Sequence, residues 1–251
     1  MLEPETLELM MRPHYRLDDR LPAMGFAFLL LLLDDVDGHL IAGHDGGWPE
    51  FVSSMVLCPE EELGVVAFVN ASSRAAQEVS QGVIRRLLDV PDPASTLPKK
   101  GILESAHLWP ELRGFYGPVG PININARVYL MYAGELEIFV EDTHLAMRTL
   151  VGPLRKGLRL HPIDPTDPLA FEAVYEGQPF RVVFERSAGS DRMEHLLVGF
   201  DRLRKRSRVE SLRFKAMAGL GAAGVVFATA AWQGYEKFVR PSDGNGGNGV
   251  A

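Results

Sequence analysis

The stretch Gly43–Asn70, GHDGGWPEFVSSMVLCPEEELGVVAFVN, decides how this chain is read. His44, Asp45, Gly46 and Gly47 stand together ahead of Trp48-Pro49-Glu50. Two apolar segments follow, FVSSMVLC and LGVVAFVN, joined by the acidic turn Pro59-Glu60-Glu61-Glu62. Short runs of β-branched and aromatic residues bounded by Pro, Gly and acidic clusters read as strands. Upstream, FAFLLLLL (Phe26 to Leu33) ends at DDVDG and is far too short to cross a bilayer. It reads as a buried strand, turned at Asp37-Gly38 and answered by HLIAG, which delivers the chain to His44. Downstream, SRAAQEVSQGVIRRLLDV carries apolar residues at Ala76, Val79, Val83, Ile84, Leu87 and Leu88, the spacing of an amphipathic helix. Four antiparallel strands and a closing helix, ending near Val90, are therefore expected, preceded by a short helix opened by Pro4.

Beyond Val90 the texture changes. PDPASTLPKKG (Pro91 to Gly101) is a proline-rich break, and a linker is placed at 91–103. ARVYLMYAG, ELEIFVED, HLAMRTL, KGLRLHPI, FRVVFER and MEHLLVGFDRL then recur between Gly, Pro and Asp. That pattern predicts a small antiparallel barrel over 104–205, because closure removes exposed strand edges. Tyr116, Tyr129, Phe139, Phe171, Phe180 and Phe184 are read as its core. From Asp201 the chain becomes basic, with Arg202, Arg204, Lys205, Arg206, Arg208, Arg213 and Lys215, before the uncharged stretch Ala216–Trp232. The charge asymmetry around that stretch suits a membrane anchor at 216–232 within a basic-then-apolar helical segment 206–240. An Ala/Gly-rich helix packed on protein suits it as well. Residues 241–251, rich in glycine, read as a disordered tail. The fold class is α+β: a sheet with closing helix, then an all-β barrel-like domain, then an apolar C-terminal helix.

The 251 residues carry a net charge of -7, which argues against nucleic acid as a partner. The N-terminus has neither the basic nor the apolar region of a signal peptide, so a cytoplasmic place, or the cytoplasmic side of a membrane, is expected. Cys58 is the sole cysteine, which excludes an intrachain disulfide and reads as a small buried hydrophobe. The seven histidines include no i, i+4 ligand pair. His39 and His44 meeting across a hairpin with Asp45 is the weaker reading, so no metal and no cofactor is expected.

The Gly43–Asn70 pattern resembles the third motif region of the serine β-lactamase and penicillin-binding protein superfamily, and within it the class C-like esterases and peptidases. There a Lys-Thr-Gly or His-x-Gly triplet on a strand precedes Pro-Gly-Phe, a strand, a Pro-Asp-type turn and a strand ending in Asn. Here the triplet is His44-Asp45-Gly46, and the resemblance runs from Pro4 through Val90. It implies that Gly47 offers a backbone N–H to a developing oxyanion, that Gly46 and Gly47 leave the approach open, and that His44 binds substrate. Glu50 departs from the family, which has glycine there.

The same family attacks with serine in Ser-x-x-Lys and relays protons through Tyr-x-Asn or Ser-x-Asn. No serine of this chain has lysine three residues on, and no tyrosine has asparagine two residues on. Thr96-Leu97-Pro98-Lys99 has the spacing but lies in the linker, and Ser53 and Ser54 have no base at hand. The resemblance thus implies the C-terminal part of a serine hydrolase, a truncated product or one half of a split enzyme, inactive alone, whose partner is the missing N-terminal half. PELRGFYGP (Pro110–Pro118) and GLRLHPIDPTDPLAFE (Gly157–Glu172) resemble the lipocalin-like domain appended to many such hydrolases. The alternative is a non-enzymatic binding or membrane-tethered module that uses the barrel.

Overall fold

The computed structural model describes residues 2–31, 39–71, 73–91, 106–120, 132–175 and 178–218. Contacts divide the chain into two units. One gathers the described residues of Met1–Leu32 and Pro91–Trp232, the other those of Leu33–Val90. By contacts the described residues of 1–32 group with the barrel.

The meander unit contains β3 (Ile41–Trp48), β4 (Phe51–Cys58), β5 (Leu63–Val69) and helix α2 (Ala75–Leu87). Its strands pair antiparallel in sequence order, with Gly46 opposite Ser53 and Ser53 opposite Phe68. Ile41-Ala42-Gly43 runs on into HDGGW as one continuous strand, which carries the triplet. The chain reverses at Pro49-Glu50, where Glu50 adopts a left-handed φ of 66°. A side chain costs about 1–2 kcal/mol in that region, so Glu50 holds a position that favours glycine. Side chains alternate across a sheet, and one face carries Ser54, Val56 and Cys58 under α2. Ala76, Ser80 and Ile84, one helical turn apart, are the buried stripe of α2. The buried Ser80 hydroxyl donates to Ser54 Oγ at 2.8 Å, so the two polar groups satisfy each other.

The barrel unit opens with α1 (Pro4–Met11), which has Pro4 at its first turn, and the pair β1 (Ala23–Met24) and β2 (Leu29–Leu31). Of FAFLLLLL, expected as one buried strand, residues 26–31 are described and only Leu29–Leu31 are strand; Ala27 adopts a left-handed φ of 64° and Phe26 is exposed. Helix α3 (Trp109–Leu112) then leads into β6 (Gly114–Pro118). Seven further strands follow: β7 (Leu136–Glu141), β8 (His144–Thr149), β9 (Leu158–Pro162), β10 (Ala170–Tyr175), β11 (Gln178–Arg186), β12 (Met193–Val198) and β13 (Asp201–Arg206). Each pairs antiparallel with its neighbour in sequence, and β13 pairs back with β6, closing an eight-stranded up-and-down barrel. Lipocalins share this closed architecture. Gly114-Phe115-Tyr116 opens the first strand of the barrel.

The interior is packed with side chains. Tyr116, Phe171 and Phe184 are buried and meet edge to face, with centroids 5.9 and 5.7 Å apart. Burial pushes the Tyr116 phenol up, and its hydroxyl donates to Leu112 O at 2.7 Å, tying α3 to the core. Phe180 packs at the edge of this cluster. Phe139 differs from the expectation: it is half-buried and lies under the Arg148 guanidinium, 4.3 Å from its centroid. Tyr129 lies outside the described residues.

A second apolar layer covers part of the barrel's outside. Leu21 is fully buried against Ala170, Val183 and Leu197, with Leu17 beside it. Arg20 locks the segment down, donating to Asp18 at 2.7 Å and to Asp167 at 2.7 Å. Arg181 Nη1 also donates to Arg20 O at 3.4 Å.

Candidate functional site

Alternation along β3 separates the four motif residues. His44 and Gly46 lie on the face opposite α2, opposite Met55 and Ser53 respectively. Asp45 and Gly47 share the α2 face, opposite Ser54 and Val52. All four are exposed, because the buried part of β3 ends at Gly43.

The two glycines have different reasons to be there. A Cβ at Gly46 would stand 2.5 Å from Ser53 Oγ, so sheet packing favours glycine unless that hydroxyl rotates away. At Gly47 a Cβ would meet nothing within 4 Å, and its φ is not left-handed. Neither conformation nor packing within the described residues requires glycine at 47.

On the face away from α2, Trp48, Phe51, Val66 and Phe68 are 74%, 60%, 54% and 80% exposed. Gly46, Gly47, Trp48, Phe51, Ser53 and Phe68 are among the residues lining an open concavity of 550 Å³ at that end of the meander. A contiguous apolar face of this kind marks a surface that meets something else. Sequence reading located the glycines but missed this patch, since Phe51 and Phe68 looked like ordinary strand residues until register placed them together.

Ser53 and Ser54, the nearest hydroxyls, fit no nucleophile role. Ser54 is buried against Ser80, and among the described residues no base is recorded in contact with Ser53. His39 does not meet His44 across a hairpin, since it lies just ahead of β3, on which His44 sits. It stands instead 3.2 Å from Glu61, beside the β4–β5 turn. Cys58 is buried, as the sequence reading expects, and burial raises its thiol pKa.

In the barrel unit the basic run of the sequence is largely spent on internal pairing. Arg202 pairs with Glu185 at 3.1 Å, Arg204 with Glu210 at 3.5 Å and Arg206 with Glu135 at 3.3 Å, while Arg213 reaches Glu137. Glu135, buried, also accepts from the Leu212 N–H at 2.9 Å, anchoring helix α4 (Leu212–Met217) at its first turn. A Cβ at Gly117 would collide with the Arg206 guanidinium, so glycine clears the path between Arg206 and Glu135. Residues 201–206 of this run form strand β13, and 212–217 the short helix. Most of Ala216–Trp232 lies outside the described residues, and the apolar C-terminal helix has no support from those that are described. Among them no helix is long and apolar enough to cross a membrane.

Fold and site together define a sheet-rich protein in which a closed, side-chain-filled barrel accompanies an open meander with an exposed glycine pair. No family model matches the chain, and no curated protein matches it. Among solved structures it is similar to an octameric penicillin-binding protein homologue from Pyrococcus abyssi, with 16% identity and a TM-score of 0.31 over 80% of this chain and 42% of that one. SurE matches with 16% identity and a TM-score of 0.44 over 82% of this chain and 42% of its own, and SurE with D-Leu with 17% identity, a TM-score of 0.44, and 81% and 44%. The chain therefore spans under half the length of each.

Proposed function

We propose that residues 1–90 are the third-motif part of a β-lactamase-related serine hydrolase domain, acting in acyl transfer on an amide or ester bond. In this reading the Gly47 N–H is one oxyanion donor, Gly46 and Asp45 complete the triplet, and His44 contacts substrate. The nucleophile and its base, Ser-x-x-Lys and Tyr-x-Asn, come from a complementary N-terminal half, and this chain alone does not turn over.

One observation carries the reading: Gly47 is bare at the exposed end of a strand where the fold itself has no need of glycine. A backbone amide that must approach a reacting carbonyl supplies the need, because a side chain would block that approach. The exposed aromatic face beside it is the kind of surface a complementary half would cover.

The test is reconstitution with the polypeptide encoded upstream, which the reading requires to carry both missing motifs. The mixture should hydrolyse a chromogenic cephalosporin or a p-nitrophenyl ester and take a serine-directed covalent label, while this chain alone does neither. Gly47→Val should fold, since valine suits a strand and has room there, yet lower turnover by about 100-fold or more, the scale of losing one oxyanion donor. Hydrolysis and labelling by the chain alone, or full turnover by Gly47→Val, overturns the proposal.

A further inference from the structure

At the other end of the meander, three donors of different chemistry converge. The His39 imidazole, the Cys58 thiol and the Glu60 carboxylate each offer an atom within 4.8 Å of the other two. Topology brings them there. Ala42 opposite Leu57 sets the start of β3 beside the end of β4, and the 3-10 turn Pro59–Glu61 folds Glu60 back over the same place. Glu60 Oε2 accepts from the Leu40 N–H at 3.1 Å, which orients the carboxylate and leaves its second oxygen available. Glu61 Oε1 stands 3.2 Å from His39 Nε2. Cys58 is fixed and buried at the strand end, whereas His39 and Glu60 sit at the rim.

We propose that His39, Cys58 and Glu60 bind a divalent cation of the zinc class, with Glu61 orienting the imidazole or supplying the fourth donor. A thiolate with an imidazole selects zinc and its neighbours over magnesium or calcium, which prefer all-oxygen shells. Tetrahedral zinc with bonds of about 2.0–2.3 Å holds its donors roughly 3.3–3.7 Å apart. Drawing this cluster in by about 1 Å falls to the exposed Glu60 side chain, with Cys58 as the fixed point. The carboxylate held by a backbone amide and the imidazole held by a second carboxylate are the outer contacts that metal ligands use.

The strand rise puts this site on the order of 20 Å from Gly47 along β3. The ion would therefore clip the start of β3 to the β4–β5 turn and take no part in acyl transfer, so the inference stands apart from the reading of Gly47. A cation that binds the folded unit and not the unfolded one stabilises it by mass action.

Cobalt(II) is the probe, added to the full chain in the presence of a phosphine reductant. Cys58 is the sole cysteine, so a thiolate-to-cobalt absorption band can come from no other residue. One equivalent should produce that band, and zinc(II) should displace it. Cys58→Ser should abolish it, and His39→Gln and Glu60→Gln should each weaken cobalt binding by about 10-fold or more. His39 and Glu60 lie at the surface, so these two variants keep the fold, checked by circular dichroism, even if Cys58→Ser does not. Absence of the band with cobalt in excess overturns the proposal. A band unaffected by His39→Gln overturns it equally, because the thiol would then be binding without its partners.

Discussion

The barrel and the meander solve the same problem in opposite ways. Each is an antiparallel run of strands paired in sequence order, but β13 returns to β6, leaving no unpaired edge and an interior filled by its own side chains. The meander is covered by α2 on one face and presents Trp48, Phe51, Val66 and Phe68 on the other. One unit closes on itself within the described residues, and the other leaves an apolar face exposed among them. Topology makes the difference, for the two sequences are about equally rich in strand formers.

The largest test of that contrast compares a phenylalanine in each unit. Phe184→Ala, between Tyr116 and Phe171 in the packed interior, should destabilise the barrel by about 3–5 kcal/mol in denaturant unfolding. Phe68→Ser, at 80% exposure, should leave stability within about 0.5 kcal/mol. Equal losses at the two positions would mean that the meander face is covered after all.

Glu135→Gln comes next. It removes the charge facing Arg206 and weakens the acceptor for the Leu212 N–H, at a cost of about 3 kcal/mol, because Arg206 is left half-buried and uncompensated. The loss should appear in thermal unfolding together with faster amide exchange at residues 212–217.

A pH experiment addresses the outer layer. The Arg20 side chain, by donating to Asp18, holds that carboxyl below its usual value. A lowered folded value means the contribution is fully present above about pH 4 and is lost as pH falls through the folded pKa. Amide exchange around Leu17–Leu21 should therefore quicken below pH 4 while the barrel interior stays protected. Asp18→Asn should remove this pH dependence and make the segment exchange faster at neutral pH.

The smallest effect concerns the turn. Glu50→Gly relieves the left-handed φ and should stabilise the meander by up to about 1 kcal/mol in chemical denaturation, with no change in the barrel. Loss of stability there would show that Glu50's own contacts outweigh its backbone strain.

Local pattern made much of this molecule legible. The apolar runs Phe51–Cys58 and Leu63–Val69, the helical spacing through Ile84, and the Gly/Pro/Asp punctuation of the barrel strands are short-range signals. They became β4, β5, α2 and the barrel as expected. The motif His44–Gly47 was visible as a motif, but only strand register put His44 and Gly46 on one face and Asp45 and Gly47 on the other. Other outcomes needed the whole fold. Val182-Val183 and Leu196-Leu197 are consecutive apolar pairs in a barrel because residues 17–21 cover the outside, and no window of sequence around them contains that cover. The basic run from Arg202 looked like free charge because its carboxylate partners, Glu135, Glu137 and Glu185, lie far off in sequence. Cys58 read as a plain hydrophobe for the same reason, since His39, nineteen residues earlier, comes beside it through the pairing of β3 with β4. Periodicity and turn chemistry act within a few residues and are written in the chain. Which faces are covered, which charges are neutralised and which donors converge depend on contacts between distant segments, and those exist only once the strands have paired.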